Sequence, residues 1–533
     1  MTERARTRAW KFYQAGRDYN QRRTPNQYSL VETNTQFFIG NQWLHLPNTP
    51  AMRNLPKPTF NILKRVTSLF IASLTGTGVG IRAEALSGIA DADGAAKIAD
   101  AELANLLEKF NLAYRIRDAL FDAAQTGDYC AHFWFDPEAR PYGGAGAFRL
   151  RRGEIQMELV DGINVIFGSP TNRSVERQPW ILLVGRDSVE NLRREAARYR
   201  ELNGLPPDPA TESAIRADAD AWDFPEIGGK NELRLPDNGK ALYVLLYEKR
   251  EKQSPDGKRE ITVRVTKATQ TATIYENVDT GLSVYPLAWG NWERQRGQYH
   301  GRALVTGLIP NQIFINTLFA TAMRHIQLMA FPRMVYNADL ISSWTNEVGQ
   351  AIAIRGLQAG QDVASVARTI PASEMSAQIF TLIDKAMSYT KECLGVSDVQ
   401  LGNARPDNTS ALELLKNNAE IPLENVRAGL YEWIEDIGRV LLDMMGTYYG
   451  TRPVVTKKGV TEFDFSAFKN VWLNLRVDVG ETANFNELAL TRTLDELRRD
   501  GVLTAVQYLE RVPDRMIPRK GELLEELRRE SGV

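Results

Sequence analysis

The chain has 533 residues, with 65 Lys plus Arg against 66 Asp plus Glu, a formal net charge of −1, 43% hydrophobic and 25% charged residues. Those proportions suit a folded chain of roughly three to five structural units and exclude a largely disordered or collagen-like one. They also exclude a chain that grips nucleic acid with its whole surface, because phosphate binding needs a positive excess; any such contact is local.

Two cysteines, Cys130 and Cys393, and four scattered histidines, His45, His132, His300 and His325, build neither a disulfide framework nor a metal site. A reducing compartment is the simplest reading. The N-terminus lacks the apolar core of a signal peptide. The most apolar helical region contains Arg324 and His325, so no membrane span is expected.

From the N-terminus, Arg4, Arg6, Arg8, Lys11, Arg17, Arg22 and Arg23 outweigh Glu3 and Asp18. This suits a solvated first helix or an arm toward an acidic partner. Phe37-Phe38-Ile39-Gly40-Asn41-Gln42-Trp43 and a loop through Pro47, Pro50, Pro56 and Pro58 lead into a helix over 60–71 with helically spaced apolar residues. Residues 91–124 read as one or two amphipathic helices ended by Gly127, with a strand over 129–135. A turn at Pro141-Tyr142-Gly143-Gly144 and short strands across 155–186 follow, and 189–202 is helical. Residues 204–240, rich in Pro, Asp and Gly, read as a long surface insertion. Residues 243–249 and 260–265 form a hairpin across Ser254-Pro255-Asp256-Gly257, with a third strand over 271–276 and a boundary near Tyr285-Pro286.

The second half is mostly helical. Helix 311–331, about 30 Å long, is stopped by Pro332, and 333–371 is strand-and-loop material. Helix 373–394 follows, then a polar loop over 396–408. A long helix from 411 to about 448 carries an expected kink near 418–422, at Pro422.

Chemical motifs are few. Gly76-Thr77-Gly78-Val79-Gly80 follows a helix, not the strand a phosphate cradle needs, and reads as a loop. Gly228-Gly229-Lys230-Asn231 lacks the hydroxyl residue that would hold magnesium. His300, in Gln298-Tyr299-His300-Gly301-Arg302, reads as a structural residue at a loop-to-helix junction, and His325 as a solvated or interface residue. No catalytic, cofactor-binding or metal residue is assigned, although an enzyme with an unfamiliar carboxylate site stands as a rival.

The helices are more informative. Ile313, Phe314, Leu318, Phe319, Met323 and Ile326 on the first, and Ile379, Phe380, Leu382, Ile383 and Met387 on the second, cover more than one face. Such helices want neighbours on several sides. Self-association into a bundle or ring supplies them, and so does an ordinary monomeric core. Helix 411–447 carries Glu413, Glu420, Glu424, Glu432, Glu435, Asp436 and Asp443 against Lys416, Arg427 and Arg439. Lining a channel, it would repel phosphates and let DNA slide; on a surface it would be a solvated acidic face.

In order, the motifs resemble those of the portal proteins of tailed bacteriophages. They are Phe37–Trp43; Pro58-Thr59-Phe60-Asn61-Ile62-Leu63-Lys64-Arg65; the Gly127-Asp128-Tyr129 switch; and Tyr285-Pro286-Leu287-Ala288-Trp289. Tyr299-His300-Gly301, Leu308-Ile309-Pro310-Asn311-Gln312, Gly395-Val396-Ser397 and Asn408-Thr409-Ser410-Ala411-Leu412 follow. Near the end come Leu494–Thr504 and Tyr508-Leu509-Glu510-Arg511-Val512-Pro513.

The resemblance implies a predominantly helical α+β portal fold that assembles as a dodecameric ring at one capsid vertex of the virion, made in the bacterial host cytoplasm. It places a wing over 1–300, a stem helix over 301–331, a clip over 332–372 and a second stem helix over 373–395. A tunnel loop then covers 396–410, a kinked channel helix 411–450, a wing return 451–510 and a short crown 511–533. The implied partners are double-stranded DNA, the terminase large subunit, a head-tail adaptor, and the major capsid and scaffolding proteins, with no membrane and no cofactor. Arg405, Asn408, Thr409 and Lys416 become candidates for near-DNA contact, and Trp344, Arg355 and Arg368 for docking partners at the clip. A monomeric adaptor or scaffold module is the main alternative.

Overall fold

The computed structural model describes residues 7–43, 55–76, 79–85, 92–139, 153–217, 239–253, 259–329, 333–341, 353–356, 362–371, 377–393, 421–456, 459–469, 473–479 and 494–512, with a few single positions besides. In chain order the helices are α1 (Arg8–Arg22), α2 (Gln27–Ile39), α3 (Ile62–Leu74), α4 (Ala92–Lys109), α5 (Leu112–Thr126) and α6 (Val189–Leu202). They continue as α7 (Pro209–Ala214), α8 (Leu304–Met329), α9 (Ala377–Cys393), α10 (Glu424–Tyr448) and α11 (Ala505–Arg511). The strands are β1 (Val79–Ala85), β2 (Asp128–Asp136), β3 (Glu154–Val160), β4 (Val165–Phe167), β5 (Trp180–Ser188), β6 (Lys240–Gln253) and β7 (Arg259–Ala268). After these come β8 (Thr273–Asp279), β9 (Leu287–Asn291), β10 (Arg333–Tyr336), β11 (Ala367–Ile370), β12 (Thr451–Thr456), β13 (Gly459–Asp464) and β14 (Leu473–Val479). This is the mixed composition expected of an α+β chain. One compact unit draws on 1–31, 69–304 and 423–533, the other on 32–68 and 305–422.

The first unit is built on a five-stranded antiparallel sheet, β4-β5-β6-β7-β8. Strand side chains alternate between faces. Leu242, Val244 and Leu246 of β6 therefore meet Trp10 and Tyr13 of α1, while Ala241 and Tyr243 meet Leu192 and Ala196 of α6. The basic first helix is docked by an apolar stripe, and its Arg8 grips Glu248 with both guanidinium nitrogens at 2.9 and 2.7 Å. A second sheet, β3-β2-β9, packs against α10. Trp433 of α10 is fully buried, donates its indole N–H to the Ala288 carbonyl at 3.1 Å and stands edge-on to Tyr129. The β1–β14 pair reaches the same helix, with Ile81 and Leu475 seated against Gly438.

Gly127 closes α5 in the left-handed region at φ 96°, as a helix C-cap glycine does. A Cβ on it would lie 2.6 Å from the Gly301 carbonyl oxygen, and a Cβ on Gly301 would lie 2.5 Å from the Gly127 oxygen. The two glycines sit back to back because only hydrogen fits.

The second unit contains the rest of α2, the start of α3, α8, α9 and the β10–β11 ribbon. Helices α3, α8 and α9 converge on a cavity of about 10 Å3 lined by Leu63, Leu308, Ile315 and Thr390. Phe60 lies on Phe319, ring centroids 4.5 Å apart. Asn61 accepts from the Lys64 amide at the start of α3 and donates to the Phe38 carbonyl at 2.8 Å.

Several expectations change. Helix α8 begins at Leu304, not 311; Pro310 lies inside it, where it costs the one hydrogen bond its missing N–H would make. Among the described residues one helix, Leu304–Leu328, is long and apolar enough to cross a membrane by length and composition alone, which leaves the expectation of no membrane span as it stands. Residues 204–240 are not all surface insertion: they hold α7, and Ile215 is fully buried. The third strand of the meander is shifted to 273–279. Tyr285-Pro286 is no boundary, because β9 pairs with β2 just beyond it. Val79 and Gly80 belong to a strand, so the glycine run lies between a helix and a strand, with Thr77 and Gly78 outside the described residues. Around Pro422 the chain makes a tight 3-10 turn, Ile421–Leu423, before α10. The turns at 141–144 and 254–257, and residues 396–420, lie outside the described residues.

Gly127→Ala and Gly301→Ala should each cost about 3 kcal/mol or more, since a residue disfavoured at positive φ or a backbone overlap has no soft neighbour to yield. Gly501→Ala, at φ 72° with open space around it, should cost only about 1–2 kcal/mol; urea unfolding midpoints compare the three. Arg8 holds the Glu248 carboxyl below its usual range. The stability this adds is whole at neutral pH and is lost as pH falls through the depressed value. Glu248→Gln should therefore lose at most about 1 kcal/mol near pH 7 and change less than the parent on acidification, as melting temperatures across pH would show.

Candidate assembly and docking surfaces

The wide-faced helices of the second unit keep much of their apolar surface in water. Along α8, Val305, Leu308, Gln312, Ile315, Asn316 and Ala320 are buried, and beyond Ala322 no described residue of the helix is. Phe314 is 49% exposed, Ile326 45%, and Met323 and Leu328 are exposed with them. Helix α9 buries only Ile383 and Thr390 among its described side chains, while Phe380, at 51%, Leu382 and Tyr389 are exposed. One narrow stripe of each helix is satisfied within the chain, while bulky side chains elsewhere around the helix, and on α8 beyond Ala322 along the stripe itself, are not. Bulky apolar side chains exposed in this number on neighbouring helices are the kind of surface that marks an interaction site.

The strand-and-loop module between these helices carries the ribbon β10–β11, with Met334, Val335 and Ile370 exposed. Two of the docking candidates lie here. Arg368 is exposed on β11 opposite Val335. Arg355 is exposed, and its backbone N–H donates to the Leu340 carbonyl at 3.0 Å. Trp344, Arg405, Asn408, Thr409 and Lys416 lie outside the described residues.

Helix α10, the described part of the expected channel helix, is the core helix of the first unit, with Leu430, Ile434, Ile437, Leu441 and Met445 fully buried. Its acids are mostly matched. Glu432 pairs with Arg294, Arg439 bridges Asp436 at 2.5 Å and Glu435 at 3.5 Å, and Arg427 meets Glu424 at 3.3 Å. Asp443 accepts from the Ser283 hydroxyl and from the Ser283 and Val284 amides. A cleft of about 270 Å3 beside this helix is lined by Trp289, Arg294, Glu432, Asp436 and Arg439, with Arg173 and Glu176 at hand. Burial pushes the Asp436 carboxyl up against the pull of Arg439, with Glu432 and Glu176 adding to the rise. Four of the five acids on the described part of the helix thus meet an arginine, and Glu413, Lys416 and Glu420 lie outside the described residues.

His300 is the residue that looks most like chemistry, and the first unit buries it. Its Nδ1 lies 2.6 Å from one oxygen of Asp128; the other accepts from the Asn291 amide at 2.7 Å and the Gly301 N–H at 2.6 Å. Both His300 and Asp128 are about 1% exposed. No substrate reaches such a pair, and it acts as a joint between β2, β9 and the segment before α8. Sequence reading identified His300 as structural but did not connect it to Asp128, 172 residues away. Among the described residues, no group of three or more His, Cys, Asp and Glu side chains is arranged to hold a metal ion.

Residues 240–458 match the family model described as phage P22-like portal protein. The matched span includes α8, α9, the β10–β11 ribbon and α10, and it bears out the resemblance to phage portal proteins. No curated protein matches the chain.

Asp128→Asn keeps the size of the side chain but removes the charge that the three donors converge on. It should cost about 3 kcal/mol, the scale for breaking a buried pair, read as a lowered urea midpoint, with far-UV circular dichroism unchanged before the transition.

Proposed function

From the portal-family match over residues 240–458 we propose that copies of this chain assemble into a ring around a central channel at one vertex of a phage capsid, through which the genome is packaged and ejected. The observation that carries this reading is the pair of helices α8 and α9, inside the matched span, whose bulky apolar side chains are exposed. Twelve copies is the proposed number. In closed cyclic symmetry the same patches on each copy meet complementary patches on the next, so the exposed faces are covered without an added partner.

In this reading residues 1–300 and 451–510 form the wing, α8 and α9 the stem, 332–372 the clip, 396–410 the tunnel loop and 411–450 the channel helix. Residues 511–533 form a short crown. Trp344, Arg355 and Arg368 dock the terminase during packaging and the head-tail adaptor afterwards. Arg405, Asn408, Thr409 and Lys416 approach the DNA. The protein acts as a conduit rather than an enzyme, the motor being the terminase.

Electron microscopy of the purified chain should show rings with a central hole. A strictly monomeric chain at every concentration and near-physiological salt would favour the adaptor reading instead. Phe314→Glu with Phe380→Glu should abolish rings and leave the circular dichroism spectrum unchanged. Deleting 401–408 should leave rings intact and lower DNA packaging or retention; unchanged packaging removes the tunnel-loop role. Arg355→Ala with Arg368→Ala should weaken terminase binding at least tenfold, about 1.4 kcal/mol.

A further inference from the structure

Three of the sequence motifs converge in the second unit on one buried amide ladder. Asn316 of α8 donates its Nδ2 to Gln42 Oε1 at 2.6 Å, and Gln42 donates its Nε2 to the Phe37 carbonyl at 3.0 Å. One turn back on α8, Gln312 donates its Nε2 to Asn316 Oδ1 at 2.9 Å and to the Phe60 carbonyl at 2.8 Å, and accepts from the Ile62 N–H at 3.1 Å. All three side chains are buried, at 2–3% exposure, and each amide oxygen and nitrogen has a partner. Helix α8 is otherwise strongly apolar.

An apolar helix packed on apolar neighbours is poorly held against sliding and rotation. A one-residue slip moves it about 1.5 Å and turns it about 100°, at little cost if greasy contacts simply exchange. A fully satisfied polar network removes that freedom, because every other register strands buried donors and acceptors. Phe314 lies about 200° around the helix from Gln312, so the ladder that grips one face of α8 sets where the opposite, exposed face points.

We propose that Gln42, Gln312 and Asn316 are positioning residues for assembly: they fix the register of α8, and through it the angle at which its exposed face meets the neighbouring copy. This rests on the ring reading above. Ring closure is sensitive to that angle, since about 2° per subunit separates a ring of twelve from one of thirteen.

The test replaces the ladder by apolar side chains of similar size, Gln42→Met, Gln312→Met and Asn316→Leu together, in the full chain. Native mass spectrometry then counts copies per ring, beside a thermal melt. The expected result is a melting temperature equal to the parent's or higher, together with a spread of ring sizes or a tenfold or greater rise in the concentration needed to assemble. Exchanging the partners, Gln42→Asn with Asn316→Gln, should restore most of the single ring size. A folded triple variant with the parent's single ring size and assembly concentration overturns the proposal. If the triple variant does not fold, Gln42→Met alone carries the test under the same two outcomes, and its failure to fold also overturns the proposal, because the network would then be a stability element. A parent chain that makes no rings takes down the ring reading instead, so the two failures are told apart.

Discussion

The carboxylate of Asp128 is the constraint on which the first unit turns. A charge taken fully out of water has to be met by donors in fixed places, and three converge on it from Asn291, His300 and Gly301. That requirement ties strand β2 to edge strand β9 and to the stretch leading into α8. It also explains the bare backbones at Gly127 and Gly301, since a side chain on either would push the donors out of reach. Tyr129, the next residue, takes the opposite face of β2 and packs on Trp433, so the buried Asp128–His300 contact and the apolar core of α10 are set by consecutive residues of one strand.

Much of this architecture is legible where local pattern and local chemistry agree. Helix α6 occupies the residues its periodicity marks, because Ser188 caps it and its apolar stripe meets a sheet. The hairpin β6–β7 follows from alternation across a polar turn. The excess apolar faces of α8 and α9 are plain in the sequence because the helical period survives any choice of neighbours. The start of α8 is not: Leu-Ile-Pro-Asn-Gln reads as a helix opening with proline in the first turn, yet packing carries the helix a further turn and more upstream. The strands β1 and β14 escape notice because they pair with each other over a long range, Val79 with Val479, and β12 and β13 form a short local hairpin, Thr451 with Asp464, that the sequence pattern does not mark. Contacts such as Asp128 with His300 leave no local signature. Of the candidate site residues, Arg355 and Arg368 sit exposed on the module where they were expected, and the others fall outside the described residues.

Charge in this chain works by neighbourhood, not by sum. A net of −1 hides acids clustered on α10, and those acids are answered by Arg294, Arg427 and Arg439 within a turn or across a cleft. Pairs of this kind at half-exposed positions add little stability, but they flatten the electrostatic field of the helix.

Those side chains carry a consequence for the life of the newly made protein. A solitary folded copy presents Phe314, Ile326, Phe380 and Tyr389 to water, and water drives such surfaces together whether or not the partner is the right one. Solubility is then a race: ordered association with its own kind removes the sticky surface, while chance encounters with partly folded chains turn it into precipitate. Rapid synthesis in a crowded cell sharpens that race, and the copy that folds early but finds no companion is the one most exposed to loss.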